Sequence, residues 1–200
     1  MKIGPKYKIA RRLGAAVFEK TQSPKFALSE QKRKKTFSKA RSNYGAQLIE
    51  KQKVRFTYAI TEKQLSNYVK NVIAKNTKNQ TDFVFQALET RLDAIVLRAG
   101  FAKTRRQARQ MVSHGHVRVN GVRNTVPSTH VTKDMNIEVK ETSKSKGLFN
   151  DFEERFKDVT VPAWIKVDAA KKSIALTGIP TYSPKESHFD LQAVLQFYKR

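Results

Sequence analysis

The sequence predicts an α+β fold behind a flexible, basic N-terminal arm. Apolar residues recur at helical spacing between residues 44 and 98, and short alternating runs follow around Asn120-Gly121. Positive charge is concentrated at the front of the chain. The 200 residues suffice for one or two domains. Leu, Ile, Val and Phe make up about a quarter of them. That exceeds the roughly 20% below which a highly charged chain stays disordered, so a core is expected.

Forty Lys and Arg stand against 17 Asp and Glu, a formal net charge of +23. Such an excess is costly to concentrate unless a polyanion neutralises it. Residues 1–60 hold 16 of the basic residues against Glu19, Glu30 and Glu50, so the net positive charge per residue is about three times that of the remainder. Residues 20–40, with the run Lys32-Arg33-Lys34-Lys35, offer few large apolar side chains to bury. They are expected to be extended in the free protein. A four-residue run alone is equally a solvated surface; the whole-chain excess favours polyphosphate binding. The run lacks the apolar face of a membrane-surface helix. No stretch approaches 18 uninterrupted apolar residues, so no membrane partner is expected. The opening MKIGPKYKIARR has no apolar signal region, and cysteine is absent. A cytoplasmic setting follows.

Residues 44–58 read as a helix with Leu48 and Ile49 inward and Lys51, Lys53 and Arg55 outward. Thr61 and Gln64 form a capping box before Leu65, Tyr68, Val69, Val72 and Ile73, an amphipathic stripe. After a polar loop at 76–80, Thr81 caps a second long helix carrying Phe85, Leu88, Leu92, Ile95 and Val96. Gly100 supplies its left-handed end, with Phe101 folding back over the last turn. Thr104 and Gln107 open a short helix with Ala108, Met111 and Val112 inward and Arg105, Arg106 and Arg109 opposite. His114-Gly115 ends it. Val117 and Val119 alternate with His116 and Arg118 up to the hairpin turn Asn120-Gly121, and Val131, Ile137 and Val139 suggest a returning strand. Residues 89–139 thus form one helix–helix–sheet unit. Leu148, Phe149, Phe152 and Phe156 make a short helix with Glu153 and Glu154 outside. Residues 164–167 and 173–176 look like strands, and Asp190 caps a last helix with Leu191, Val194, Leu195 and Tyr198.

The arginine face at 104–109 is the most informative local feature. A helix start carries unsatisfied amides and partial positive charge, so Lys103, Arg105, Arg106 and Arg109 there build a phosphate-binding surface. The His114-Gly115-His116 loop lies beside it, and the two together suit the edge of an A-form groove. A solvated basic face is the alternative. The two imidazoles lack further ligands, and His130 and His188 show no ligand spacing, so no metal and no cofactor is expected. No nucleophile elbow, phosphate-cradling Gly-rich loop or H-E-x-x-H occurs, so no enzymatic activity is expected. The carboxylates read as surface balance. Phe85, Phe149 and Phe156 read as core, while Tyr7, Tyr44 and Tyr58 sit among Lys and Arg, where base stacking is possible but not favoured over its absence.

The stretch ETRLDAIVLRAGFAKTRRQARQMVSHGHVRVNG resembles the eponymous RNA-binding module of the bacterial small-subunit ribosomal protein four family. Some pseudouridine synthases, tyrosyl-tRNA synthetases and heat-shock RNA binders also carry that module. GPKYKIARR, YGAQLIEKQKVRFTY followed by EKQ, and VPAWIKVD…FDLQAVLQFYKR resemble further segments of the same family, in the same order, over most of the chain. Three departures exist. Tyr7 stands where many members begin a zinc-binding cysteine cluster, so this chain resembles the metal-free form. The family's Pro-Pro-Gly-Gln-His-Gly loop is replaced by basic KRKK, and Asp134-Met135 replaces the usual turn before the module's last strand.

The resemblance implies a helical domain, 41–85 completed by 188–200, into which 86–187 is inserted, with residues 1–40 as the arm. It implies binding to the 5′ domain of 16S rRNA, nucleation of the 30S body, and an effect on decoding accuracy. Ribosomal proteins five and twelve are implied as neighbours, with mRNA at the channel by which it enters the ribosome, and no homo-oligomer. A free RNA-binding regulator or chaperone, including repression of its own translation, is the alternative, and an organellar ribosome is compatible. The candidate RNA-binding residues at the front are Lys2, Lys6, Lys8, Arg11, Arg12, Lys32, Arg33, Lys34 and Lys35. Lys39, Arg41, Tyr44, Lys51, Lys53 and Arg55 follow at the start of the helical region. Of these, Lys39, Arg41 and Lys51 either guide mRNA or hold rRNA. The module contributes Lys103, Thr104, Arg105, Arg106, Arg109, His114, His116, Arg118 and Asn120.

Overall fold

Two units divide the chain: Met1–Val84 with Tyr182–Arg200, and Phe85–Thr181. The computed structural model describes residues 3–32, 42–133, 135–144, 149, 152, 156 and 159–200. Helices α1 (Lys6–Leu13), α2 (Pro24–Gln31), α3 (Asn43–Thr57), α4 (Glu62–Ala74), α5 (Gln80–Glu89), α6 (Leu92–Arg98) and α7 (Arg105–Ser113) come first. Then follow β1 (Val117–Val119), β2 (Val122–Arg123), β3 (Asn136–Val139), α8 (Glu141–Lys144), β4 (Ile165–Asp168), β5 (Ser173–Leu176) and α9 (Leu191–Tyr198). Among the described residues no helix is long and apolar enough to cross a membrane.

In the first unit, α1 buries Ala10 and Leu13 against Val17, Phe18, Phe26 and Ile49. Proline at the first position of α2 suits a helix start, because its missing N–H has no intrahelical partner there anyway. The ring of Phe26 meets Tyr7 edge-on with centroids 5.2 Å apart. Thr21 is buried, its hydroxyl donating to the carbonyls of Ala15 and Phe18. The extended arm expected over 20–40 is therefore corrected for its described part: a 3-10 turn at Glu19–Gln22 leads straight into α2. Scattered Val17, Phe18 and Phe26 supply a buried surface that no periodic stripe announces. Residues 33–41, and with them Arg33, Lys34, Lys35, Lys39 and Arg41, lie outside the described residues, as does Lys2.

Helix α3 starts where Ser42 Oγ accepts the Gly45 amide at 3.2 Å. The capping box of α4 forms as expected: Thr61 Oγ1 accepts the Gln64 amide at 3.3 Å, and Gln64 Oε1 accepts the Thr61 amide at 3.1 Å. Helix α9, capped by Asp190 Oδ1 on the Gln192 amide at 2.8 Å, packs on α3 and α4 and buries Leu191, Val194 and Leu195.

The single long helix expected after residue 81 is two. Thr81 falls inside α5, and the chain leaves helical geometry at Thr90-Arg91. The amides of Leu92 and Asp93 there donate to the carbonyls of Thr129 (2.8 Å) and Pro127 (3.1 Å), and Val131 donates to Thr90 (2.9 Å). Backbone partners from 127–131 thus displace the local ladder, and no Gly or Pro marks the spot. Gly100, at φ +78°, closes α6 as expected, with the Phe101 amide reaching back to the Val96 carbonyl at 3.1 Å.

The sheet is antiparallel, in the order β2-β1-β3-β5-β4. Asn120 (φ 49°) and Gly121 (φ 78°) make the two-residue turn between β1 and β2, both left-handed as that hairpin requires. β3 lies on the other side of β1, pairing Val117 with Val139 and Val119 with Ile137. β5 continues the sheet through Ile137↔Ile174, so the strands after residue 160 enlarge the unit expected to end near 139. Ile95, Val96, Ala108, Met111 and Val112 from the helices pack with Ile137, Val139, Ile165, Ile174 and Leu176 around Phe149 and Phe152. Leu148, Glu153, Glu154 and Asp134 lie outside the described residues.

Candidate nucleic-acid interface

Helix α7 is set by its start. Thr104 Oγ1 accepts the Gln107 amide at 3.2 Å, and Gln107 Oε1 reaches one residue beyond the cap to accept the Lys103 amide at 2.7 Å. Burial of Ala108, Met111 and Val112 then fixes the helix's rotation, leaving Lys103 and Arg106 exposed as expected. Arg105 and Arg109 depart from the expectation. They do not project into open solvent but reach two buried carboxylates.

Those carboxylates are Glu89, fully buried, and Asp93, 5% exposed. Glu89 accepts Arg98 through both oxygens, at 3.0 and 2.7 Å, and lies 3.6 Å from the Arg105 guanidinium. Asp93 accepts Arg91 through both oxygens, at 3.0 and 2.8 Å, and Oδ2 also accepts Arg109 Nε and Nη2 at 3.1 and 2.8 Å. Arg91 is buried too. Sequence reasoning missed this network by reading the carboxylates as surface balance. One signal was available: Asp93 interrupts an otherwise apolar run from Leu92 to Leu97, where only a paired charge is tolerated.

The loop after α7 is built around Gly115, at φ +73°. The Arg123 guanidinium covers it closely enough to collide with any Cβ, and Nη2 approaches the His114 carbonyl at 3.5 Å. His114 is exposed, and His116 turns its Nδ1 to Ser143 Oγ at 3.0 Å. Arg118 pairs opposite Arg123 and Glu138 in the sheet. Asn120 is engaged in its own turn, exchanging two 2.8 Å bonds with the Asn136 backbone. Arg123, not among the expected residues, therefore joins the basic loop surface; its place two residues after Gly121 was the available signal.

In the first unit, Lys8, Arg12 and Lys32 are exposed. Lys6 lies over the Phe18 ring at 5.6 Å, and Arg11 is tied to Glu30 at 2.7 Å and Ser29 at 3.1 Å. Lys51 contradicts its expected outward place. It is 7% exposed, bonded to Glu62 at 2.8 Å and held over the Phe197 ring at 4.3 Å, because α9 covers that face of α3. Lys53 pairs with Glu50 at 2.6 Å, and Arg55 lies 3.6 Å from Glu62. Tyr58 is buried and Tyr7 half-buried, so of the three candidate stacking rings only Tyr44 is largely exposed, at 51%, its ring lying 5.5 Å from that of Phe197 with the Arg200 guanidinium over it at 5.8 Å. Burial pushes the Glu62 carboxyl up, but hydrogen bonds from Lys51 and Tyr198 and the charges of Lys51 and Arg55 outweigh it, leaving it below its usual range. Burial, reinforced by Glu62, raises the Tyr198 phenol above its usual range.

Among the described residues no group of three or more His, Asp or Glu could hold a metal ion. Residues 1–89 match the model of the ribosomal protein S4/S9 N-terminal domain, and residues 90–137 match the S4 domain. The small ribosomal subunit protein uS4 of Corynebacterium kroppenstedtii is 42% identical over 159 residues, covering 80% of this chain and 79% of the relative. Its counterpart in Aquifex aeolicus is 35% identical over 207 aligned positions, covering 99% and 98%. That of Shewanella loihica is 37% identical over 203, again covering 99% and 98%.

Proposed function

The chain belongs to the uS4 family of small ribosomal subunit proteins, a structural and non-enzymatic family, and on that premise we propose how it grips ribosomal RNA. It is an RNA-binding component of the small subunit, at work in translation on the ribosome. The grip proposed here is the start of α7 with the loop 114–116. Exposed Lys103 and Arg106 stand at the first turn, Arg98 shares Glu89 with Arg105 of that turn, Arg109 follows on the same helix, and Arg123 extends the cationic surface across Gly115. Amides, guanidinium groups and a helix dipole together suit phosphate oxygens along an A-form groove rather than base edges. The observation that carries this reading is the ordered set of cations around one helix start.

The finer role is to bind the 5′ domain of 16S rRNA and nucleate the body of the subunit in the cytoplasm. Ribosomal proteins five and twelve are its neighbours, where it contributes to accuracy, and mRNA passes the start of its helical region. Lys51 drops out of the mRNA guide because Glu62 and the Phe197 ring enclose it. Lys39 and Arg41 remain as candidates. Sedimentation of tagged protein in high-salt sucrose gradients tests the structural role: it is expected with small subunits. Recovery only in light fractions, bound to other RNA, would turn the reading toward a free regulator or chaperone. Binding to separate rRNA domain transcripts is expected to favour the 5′ domain, and equal binding to all would remove that assignment.

A further inference from the structure

We propose that Glu89 and Asp93 are positioning residues for RNA binding, and that they make Arg98 a phosphate-binding residue alongside Arg109. The inference rests on the reading of α7 as the RNA grip. In a chain with 40 basic and 17 acidic residues, a carboxylate next to a polyanion site is unfavourable unless it acts through a neighbour. Glu89 has a fully buried side chain, and Asp93 a side chain 6% exposed, so neither meets RNA directly. The guanidinium groups they hold reach outward: Arg98 is 42% exposed and Arg109 29%. Glu89 takes Nε and Nη2 of Arg98, and Asp93 takes Nε and Nη2 of Arg109.

The two clamps thus engage the same edge of each guanidinium and fix its plane. A free arginine surrenders considerable rotamer freedom on gripping phosphate; one already held by a buried carboxylate surrenders less. Arg91 performs the complementary task. Buried and doubly bonded to Asp93, it sets an opposite charge against that carboxylate in the interior, so that Asp93 is not left as an unpaired buried group. Of the four arginines in the network, Arg91 and Arg105 are largely buried, and it is Arg98 and Arg109 that stay partly open to solvent beside the basic helix start.

Charge and geometry predict opposite signs. Glu89→Gln adds one positive charge to the protein, so simple electrostatics makes RNA binding tighter. Positioning makes it several-fold weaker, with the log–log salt slope shallower by about one unit for the lost phosphate contact. Arg98→Lys preserves charge but cannot fork, and is expected to do the same. The full-length protein and transcribed small-subunit rRNA are used between 50 and 200 mM salt, with thermal melts confirming that each variant is folded. The double variant Glu89→Gln/Arg98→Ala should lose less affinity than the two single variants together, since Glu89 acts mainly through its bidentate hold on Arg98. Glu89→Gln binding as tightly as wild type or tighter overturns the proposal, as does additivity in the double variant. If Glu89→Gln does not fold, Arg98→Lys decides alone, and an unchanged affinity and slope overturns it. Lys103→Ala/Arg106→Ala serves as control: if that variant keeps the wild-type slope, the α7 grip itself fails, a result distinct from failure of the clamps.

Discussion

Gly115 joins backbone conformation to site geometry in one residue. Its φ of +73° disfavours any L side chain, and the Arg123 guanidinium occupies the space a Cβ would need. Gly115→Ala should therefore cost about 1–3 kcal/mol in urea unfolding. It should also displace Arg123 from the loop, lowering rRNA affinity beyond what the stability loss explains. An unchanged melt would mean the loop relaxes freely. The glycine's role as a helix stop was legible in the sequence; its role as a seat for Arg123 was not, since that depends on how the hairpin folds back over the loop. The same holds for Arg91, whose burial follows from the bridge to His130 and the clamp by Asp93.

At the scale of elements, α7 separates two kinds of arginine that its sequence presents as one face. Lys103→Ala with Arg106→Ala removes exposed cations and should weaken rRNA binding, shallow the salt slope by about two units, and leave the melt unchanged. Arg105→Ala with Arg109→Ala removes partners of buried carboxylates and should both weaken binding and lower stability, by about 3 kcal/mol or more. Equal melts for the two double variants would show that Glu89 and Asp93 tolerate losing Arg105 and Arg109. Periodicity identified the inward face of α7, the capping box of α4 and the hairpin turn, because each is a local property. The break between α5 and α6 and the burial of Lys51 were invisible to it. One is caused by backbone partners some forty residues away, the other by α9 closing over α3.

That closure carries its own pH signature. Tyr198 donates to Glu62 at 2.8 Å, and its phenol titrates above its ordinary 10.0 in the folded state. A raised folded value gives stability that is complete below the unfolded value and is lost as pH rises past about 10. Glu62 does the reverse: held below 4.5, it gives stability present above that pH and lost on acidification. Tyr198→Phe should lower the midpoint of thermal unfolding near neutrality. The gap to wild type should narrow as pH is raised above about 10. A gap that stays constant to high pH would show that the hydroxyl contributes packing alone.

For the whole molecule the governing quantity is the charge of +23, which sets opposite salt responses for the protein alone and on RNA. Free, the folded chain crowds its cations, and Glu50, Glu62, Glu89 and Asp93 offset only part of that crowding. Added salt screens the remaining repulsion, so the thermal midpoint of the free protein should rise between 20 and 200 mM salt. Bound, the same cations have displaced counterions from RNA, and each neutralised phosphate makes binding weaker as salt rises. The log–log slope should lie at roughly −0.7 to −0.9 per contact. The stabilisation that RNA confers on the folded protein should therefore shrink over the same range in which the free protein gains stability. Melting the protein with and without rRNA across that range measures both trends in one experiment. Parallel trends, or a binding slope near −1, would mean that few of the 40 basic residues meet phosphate and that the excess charge serves some other end.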